Sequence, residues 1–419
     1  MKRQVVVVGA GPSGSSAAFY CAKRGMDVLL LDKETWPRDK VCGDAWLQSL
    51  KPIFMDMGIY DEMKSLNTVS GGNDFILASP NGDCVEYKMS DHENSEGAFI
   101  IPRRIGDDVV RRAAVRAGAE MMENFDATEL MIRRGRVCGV RGYYRNEPME
   151  IEADAVIVAN GSHSMLGRQV GIFNEDPSLS MFAARGYFKN LPPALKPGSV
   201  FQFYLPETIP GYDKAKKTMS FAWISAHDKP GYGTLGMVIP IETIEALDMS
   251  LQEVYEWIVA NVPNVKKYFE GAELVDELKG WRLLGSTKVQ KNYVRGAFFI
   301  GDACSQAECA HFYGIPAGMI SGRSAAELLD DIFTTGDDSE ESWARFFKII
   351  SDKLNPQYEF YSAFRSLVHK DINNVNRMNE YAKTFPGTPV YSVVMYKFIT
   401  EILGKQMPLP PQEGERLSQ

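Results

Sequence analysis

Four fragments in a fixed order constrain this chain more than any single motif. They are Gly9-Ala10-Gly11-Pro12-Ser13-Gly14, Pro37-Arg38-Asp39-Lys40-Val41-Cys42-Gly43-Asp44, Ala153-Asp154-Ala155-Val156-Ile157-Val158-Ala159-Asn160-Gly161 and Gly296-Ala297-Phe298-Phe299-Ile300-Gly301-Asp302-Ala303. The first follows Val5 to Val8, a continuous β-branched run that suits a parallel strand buried on both faces. In such a unit Gly9 makes the tight turn, Gly11 lets the backbone approach a pyrophosphate, and Gly14 lets the next helix pack against the strand. The spacing predicts that helix over 15–24, ended by Gly25. A second strand over 28–31 carries Asp32 at its tip, close to the ~20 residues at which an acid meets a ribose hydroxyl. The helix N-terminus supplies N–H groups and partial positive charge for phosphates. Gly9, Gly11, Pro12, Ser13, Gly14, Asp32 and the adjacent Lys33 are therefore candidate contacts to a dinucleotide.

The fourth fragment predicts a return strand over 297–300 in the same sheet as Val5 to Val8. Gly301 and Asp302 then stand at its carboxyl end, beside the crevice, where Asp302 can accept from a ribityl hydroxyl. Gly314 and Ile315 open the following helix, whose N–H groups would face the pyrimidine edge of a flavin and stabilise negative charge there. A second contact roughly 290 residues after the fingerprint is not needed by a unit that binds only a nicotinamide dinucleotide. The expected cofactor is FAD, gripped from both ends of the chain.

Composition narrows the class. With 419 residues, 45% hydrophobic and 24% charged, the chain can bury a large core in two or three domains. A net charge of −8 argues against a nucleic-acid partner. Six Cys without paired spacing predict no disulfide and a cytoplasmic location, and five His without ligand spacing predict no metal. No apolar run reaches the ~20 residues of a membrane span, and no signal peptide is read ahead of the first strand. Peripheral membrane contact stays open, and the oligomeric state is not legible.

Along the chain, 45–65 carry helical spacing interrupted by Gly58, 70–101 read as β-hairpins, and 104–117 as a basic-faced helix ended by Gly118. Residues 119–158 alternate as strands, 180–285 read as an antiparallel sheet, and 338–405 as aromatic-rich helices. The fold class is α/β: a Rossmann-like FAD-binding domain with an antiparallel β-sheet substrate domain and a helical C-terminal region. The expected division is 1–75 with 98–170 and 286–335 for FAD, 76–97 with 171–285 for substrate, 336–407 helical, and 408–419 a disordered tail.

The four fragments, with Gly314-Ile315-Pro316, resemble the geranylgeranyl reductase family over about residues 1–330. That family sits in a larger flavoprotein group with aromatic hydroxylases and flavin-dependent halogenases. The resemblance implies non-covalent FAD and hydride transfer to isolated C=C bonds of isoprenoid chains. It places Cys42 near the flavin ring and Arg103, in an Arg-x-x-x-Asp arrangement with Asp107, facing the cofactor. Arg38, Gly43 and Gly161 are further contacts expected in the matching fragments. The chain departs from the family pattern at Asn160-Gly161 (usually Asp-Gly) and at Gly106 (usually Phe). It also departs at the aromatic substrate motif, where a charged insertion separates Tyr212 from Phe221 and Trp223.

Tyr212, Phe221 and Trp223 read either as sheet core or as the wall of an apolar tunnel. Cys42 reads as an inert buried thiol or as a catalytic group beside the flavin. His311 reads as a proton donor or a structural hydrogen bonder. The expected substrate is an apolar small molecule or lipid, and the external reductant NADPH, NADH or ferredoxin. A monooxygenase is the main rival enzyme. A halogenase fits less well, because no Trp-x-Trp-x-Ile-Pro occurs. A non-catalytic electron-transfer flavoprotein is a rival of another class.

Overall fold

The computed structural model describes residues 1–66, 74–88, 98–172, 176–193, 199–204, 210, 220–227 and 231–408. Its first sheet is centred on the strand Lys2–Val8, with Val5, Val6 and Val7 wholly buried. This strand pairs in parallel with Val28–Leu31 on one side and with the second half of Glu147–Val158 on the other. Glu120–Met122 and Ala297–Phe299 extend the parallel set outward. The carboxyl ends of these strands therefore share one edge, where an open α/β sheet forms its ligand crevice. The first half of Glu147–Val158 instead joins an antiparallel meander with Arg136–Tyr144 and Phe125–Arg133.

The first helix is Pro12–Lys23, starting ahead of the expected 15–24 because Pro12, which needs no N–H partner, opens its first turn. Gly25 follows its end at φ +79°, in the left-handed region that favours glycine. This helix packs on Gly314–Thr335 nearly backbone to backbone. A Cβ on Gly322 would stand 2.7 Å from the Ser13 carbonyl and 2.8 Å from the Ala17 nitrogen. Ser16 Oγ donates to the Met319 carbonyl at 3.0 Å. Glycines on the later helix thus let the chain's C-terminal half buttress the fingerprint.

Among the described residues the second sheet has nine strands, and its main path runs 307–308, 279–286, 180–189, 233–240, 221–226, 200–204, 74–78, 84–88. Two pairings correct the expectation of a purely antiparallel sheet. Val200–Tyr204 runs parallel to Asp74–Ala78, and 285–286 parallel to 307–308. The stretch 180–285 also contains helices Ile241–Leu247, Leu251–Asn261 and Pro263–Lys266, which were not expected. Ser250 begins the longest with a capping box: its Oγ accepts from Glu253 N at 3.2 Å while its own N donates to Glu253 Oε2 at 2.7 Å. Val254, Tyr255 and Ile258 of that helix pack with Phe188, Phe201 and Leu235 of the sheet.

Residues 45–65 divide at Gly58 as expected, but their start is not helical. Ala45–Trp46 pairs with Phe99–Ile100 as a short ladder, and helices Lys51–Asp56 and Tyr60–Leu66 flank Gly58. Within 70–101 the described residues form one hairpin, Asp74–Ala78 with Cys84–Lys88. The C-terminal region is helical as expected, over Glu340–Lys370, Asn373–Ala382 and Tyr391–Leu403. Phe360, Phe364, Val394 and Phe398 of these helices share a core with Met181, Tyr204 and Phe221 of the second sheet. Residues 409–419 of the expected tail lie outside the described residues. Among the described residues no helix is long and apolar enough to cross a membrane.

Candidate functional site

A cavity of about 680 Å³ runs from the carboxyl edge of the parallel strands to the second sheet. Gly9, Gly11, Pro12, Ser13, Asp32 and Lys33 line one end. Gly9 adopts φ +100°, and a Cβ there would stand 2.5 Å from the Ala159 carbonyl, so only glycine lets the first and third fragments abut. A Cβ on Gly11 would meet only Arg38 Nη2, at 3.4 Å, and otherwise enter the cavity. The helix behind it has no side-chain cap and no acid in its first turn. Its N-terminal N–H groups are therefore available to an anion. Asp32 accepts from Ala10 N at 2.8 Å and Glu34 N at 2.9 Å, which fixes its carboxylate and leaves lone pairs for a diol. An open glycine cradle, an uncapped helix and a fixed acid fit the ADP half of FAD.

Arg38, Cys42, Gly43, Arg103, Gly161, Asp302, Gly314 and Ile315 line the middle of the same cavity. Behind them Asp107 is fully buried and accepts from Arg103 Nη2 at 2.9 Å and Arg38 Nη1 at 2.5 Å. Burial pushes the Asp107 carboxyl up, but the Arg103 and Arg38 guanidiniums outweigh it and hold it below the usual carboxylate range. The Cys42 side chain lies within electrostatic reach of the Arg103 guanidinium. Arg103 and Cys42 thus meet on one wall. Asn160 Oδ1 is buried on that wall without a partner among the described residues, an acceptor left for a ligand.

Two expected contacts lie elsewhere. Gly14 does not line the cavity: it sits under the turn, where a Cβ would run into the Gly9 carbonyl. Gly301 donates its N–H to Gln306 Oε1 at 2.6 Å, and a Cβ on it would stand 2.5 Å from Ser13 Oγ. Both let backbones approach and do not face the cavity. Tyr212 lies outside the described residues.

The wall on the second sheet is mainly apolar, with Gln202 and Ser225 as its polar members. Phe221 and Trp223 line it with Val200, Val238 and Leu283. The Trp223 ring fills the space that a Cβ on Gly236 would take, and its Nε1 has no partner among the described residues. His311, Phe312 and Tyr313 close the wall at the head of the helix Gly314–Thr335. Glu308 accepts from the N–H groups of Ala310 (2.6 Å), His311 (2.8 Å) and Tyr313 (3.1 Å), which fixes that loop. The His311 ring lies parallel to Tyr313 and Phe364 and sits 3.3 Å from the Tyr391 hydroxyl. Burial lowers it to about 4, so it is a neutral imidazole near neutral pH.

Sequence reasoning passed over two groups inside the second fragment. Lys40 lines the cavity with its ammonium 3.9 Å from the Trp281 ring centre. Asp44 is fully buried behind Gly43, accepting from the Tyr187 hydroxyl at 2.7 Å and from Arg103 N at 3.2 Å. Burial pushes its carboxyl up to about 7 against the pull of the Arg185 guanidinium. Both were legible as polar residues within a cofactor fragment, but their partners Trp281 and Tyr187 are far away in sequence.

The FAD binding domain family matches residues 2–252. The chain is 27% identical over 412 residues to digeranylgeranylglycerophospholipid reductase of Methanocella arvoryzae, across 95% of both proteins. It is 28% identical over 353 residues to conditioned medium factor receptor 1 of Dictyostelium discoideum, which covers 82% of this chain but 66% of that protein. A geranylgeranyl bacteriochlorophyll reductase-like protein of Thermoplasma acidophilum superposes with a TM-score of 0.81 at 19% identity, over 100% of this chain and 99% of that one, and so shares the fold. The family match spans more than half of the chain, which therefore belongs to the FAD binding domain family, as an FAD-dependent oxidoreductase similar to geranylgeranyl reductases.

Proposed function

We propose that this oxidoreductase saturates C=C bonds of an apolar, isoprenoid lipid. The observation that carries the reading is the continuity of one cavity from the FAD crevice to an apolar wall on the second sheet. Reduced FAD, when bound, supplies the hydride. The chain's own part is to bind the cofactor, place the alkene, exclude water and supply a proton. Gly9, Gly11, Pro12, Ser13, Asp32 and Lys33 are assigned to the ADP half, and Arg38, Cys42, Arg103, Asp302, Gly314 and Ile315 to the region of the ring. Phe221 and Trp223, with Val200, Val238 and Leu283, present the surface a prenyl chain would cover. Covering it displaces water and holds reacting atoms at the ~3–3.5 Å that transfer requires.

The Methanocella relative, a digeranylgeranylglycerophospholipid reductase, points to a digeranylgeranyl glycerophospholipid as the kind of substrate. NADPH, NADH or ferredoxin is the proposed external reductant. A substrate of this type suits peripheral contact with a membrane. The FAD and substrate portions are proposed to divide as the sequence reading divides them, with the boundary at 75 moved ahead of the strand Asp74–Ala78, which pairs within the second sheet. Anaerobic incubation of reduced holoprotein with such a lipid, followed by mass spectrometry, tests the reading. The expected product has gained one H2 per saturated bond. A product that forms only with oxygen and incorporates it would assign a monooxygenase instead.

A further inference from the structure

We propose that Lys40 is the residue that protonates the substrate carbon opposite the one receiving hydride, an assignment that rests on the reductase reading above. Lys40 belongs to the loop that carries Arg38 and Cys42, yet its ammonium reaches across to Trp281 on the strand Lys279–Ser286 of the second sheet. It therefore stands where the cofactor portion of the cavity meets the substrate portion. Among the described residues no carboxylate lies within ion-pair distance of it. The neighbouring Asp39 is taken by Arg185 Nη2 at 2.9 Å and Lys279 at 3.4 Å. An ammonium on an aromatic face with no carboxylate partner keeps its N–H bonds for whatever enters the cavity.

Four other polar groups on the wall, Arg38, Arg103, His311 and Tyr313, are poorer acids. Arg38 and Arg103 are tied to Asp107, and a guanidinium does not release its proton. His311 is neutral near neutral pH. Burial, then Glu308, raises the Tyr313 phenol above its ordinary value. The charged and titratable groups facing Lys40 are Asp302, Cys42, Arg103 and Arg38, with His163 beyond them. Burial, reinforced by Arg103 and Arg38, lowers the ammonium to about 7 against the pull of Asp302 and Cys42. Both protonation states are then populated at neutral pH, where general acid catalysis is most effective.

The step balances. As the π bond opens, one alkene carbon takes the hydride and the other takes a proton from Lys40 Nζ. The N–H electron pair returns to nitrogen, and the amine regains a proton from solvent. The alkene gains two electrons and reduced FAD loses them.

Two measurements on the FAD-loaded protein test this. In the first, acetic anhydride is applied across a pH series and the lysines are mapped by mass spectrometry. Lys40 should be half-modified near pH ~7, with exposed lysines following towards ~10. Half-modification of Lys40 alongside the exposed lysines would overturn the proposal. In the second, K40M and K40R are reduced and mixed anaerobically with digeranylgeranylglycerophospholipid. Each should reoxidise at least about 100-fold more slowly than wild type. K40R keeps the charge but not the acid, so a wild-type rate in K40R would show a fixed-charge role and overturn the proposal. If K40M does not fold, K40R and the acetylation profile decide. Lipid turnover at full rate in both variants removes the Lys40 assignment alone. No lipid turnover by wild type removes the reductase reading and this assignment with it.

Discussion

Arg103 and Asp107 stand one turn apart on the helix Arg103–Arg116, and Arg103 Nη2 donates to Asp107 Oδ2 at 2.9 Å. Arg38, from a loop distant in sequence, closes on the same carboxylate at 2.5 Å. One fully buried acid thus orients two guanidiniums on the cavity wall. Asp107→Ala should leave both without their counter-charge, costing about 3–5 kcal/mol of stability and weakening FAD affinity. Urea unfolding with a parallel FAD titration checks this. An unchanged FAD affinity in the folded variant would show that Asp107 does not organise the site.

Two glycines of the fingerprint should fail in different ways. At Gly11 a side chain enters the cavity, with only Arg38 Nη2 near its Cβ. Gly11→Val should fold and lose FAD. At Gly14 the Cβ runs into the Gly9 backbone, which cannot swing aside. Gly14→Val should fail to fold. Circular dichroism and flavin absorbance of the two purified variants separate these outcomes.

Stability should fall as pH rises towards 8, partly because of Asp44. Burial pushes its carboxyl up to about 7 from an ordinary 3.8, so the folded protein binds a proton there that the unfolded chain releases. The contribution is full below the unfolded value and lost as pH rises through about 7. Glu308 acts in the same direction, raised from 4.5 to about 7 by burial. His311 acts oppositely, losing its contribution as pH falls through about 4. Asp44→Asn should flatten the drop in unfolding free energy between about pH 5 and pH 8 by on the order of 2–3 kcal/mol. A slope identical to wild type would place the titration elsewhere.

The fingerprint, the return strand and the family were legible because each rests on local pattern: a β-branched run, glycines at fixed offsets, an acid after the second strand. What escaped the sequence depends on contacts between distant segments. The row Trp46, Leu47, Leu50, Ile53, Phe54, Met57 has helical spacing, yet Ala45–Trp46 is drawn into a ladder with Phe99–Ile100. The helix Leu251–Asn261 did carry a local sign, Ser250 three residues before Glu253, which the turn-rich surroundings obscured. Lys40 and Asp44 were visible as residues but not as site members, since Trp281 and Tyr187 give them their setting. Gly318 and Gly322 gain meaning only from the helix they touch.

Trp223→Ala should separate substrate handling from cofactor handling, although the indole also abuts Gly43. Its ring lies over Gly236 on the cavity's apolar wall. Trp223→Ala should lower turnover of a prenyl substrate by roughly 10–100-fold, through lost apolar contact of about 1.5–3 kcal/mol. Flavin content and flavin reduction should stay near wild type. Equal losses in both half-reactions would place Trp223 at the cofactor instead.

Anaerobic stopped-flow on the reduced holoprotein tests lipid reduction most directly. Flavin absorbance is followed on mixing with digeranylgeranylglycerophospholipid, and separately with oxygen and an aromatic acceptor. Reoxidation by the lipid is expected without oxygen, with saturated lipid formed in proportion to flavin oxidised. Flavin that stays reduced with the lipid, but yields an oxygenated product when oxygen and the aromatic are supplied, would contradict it.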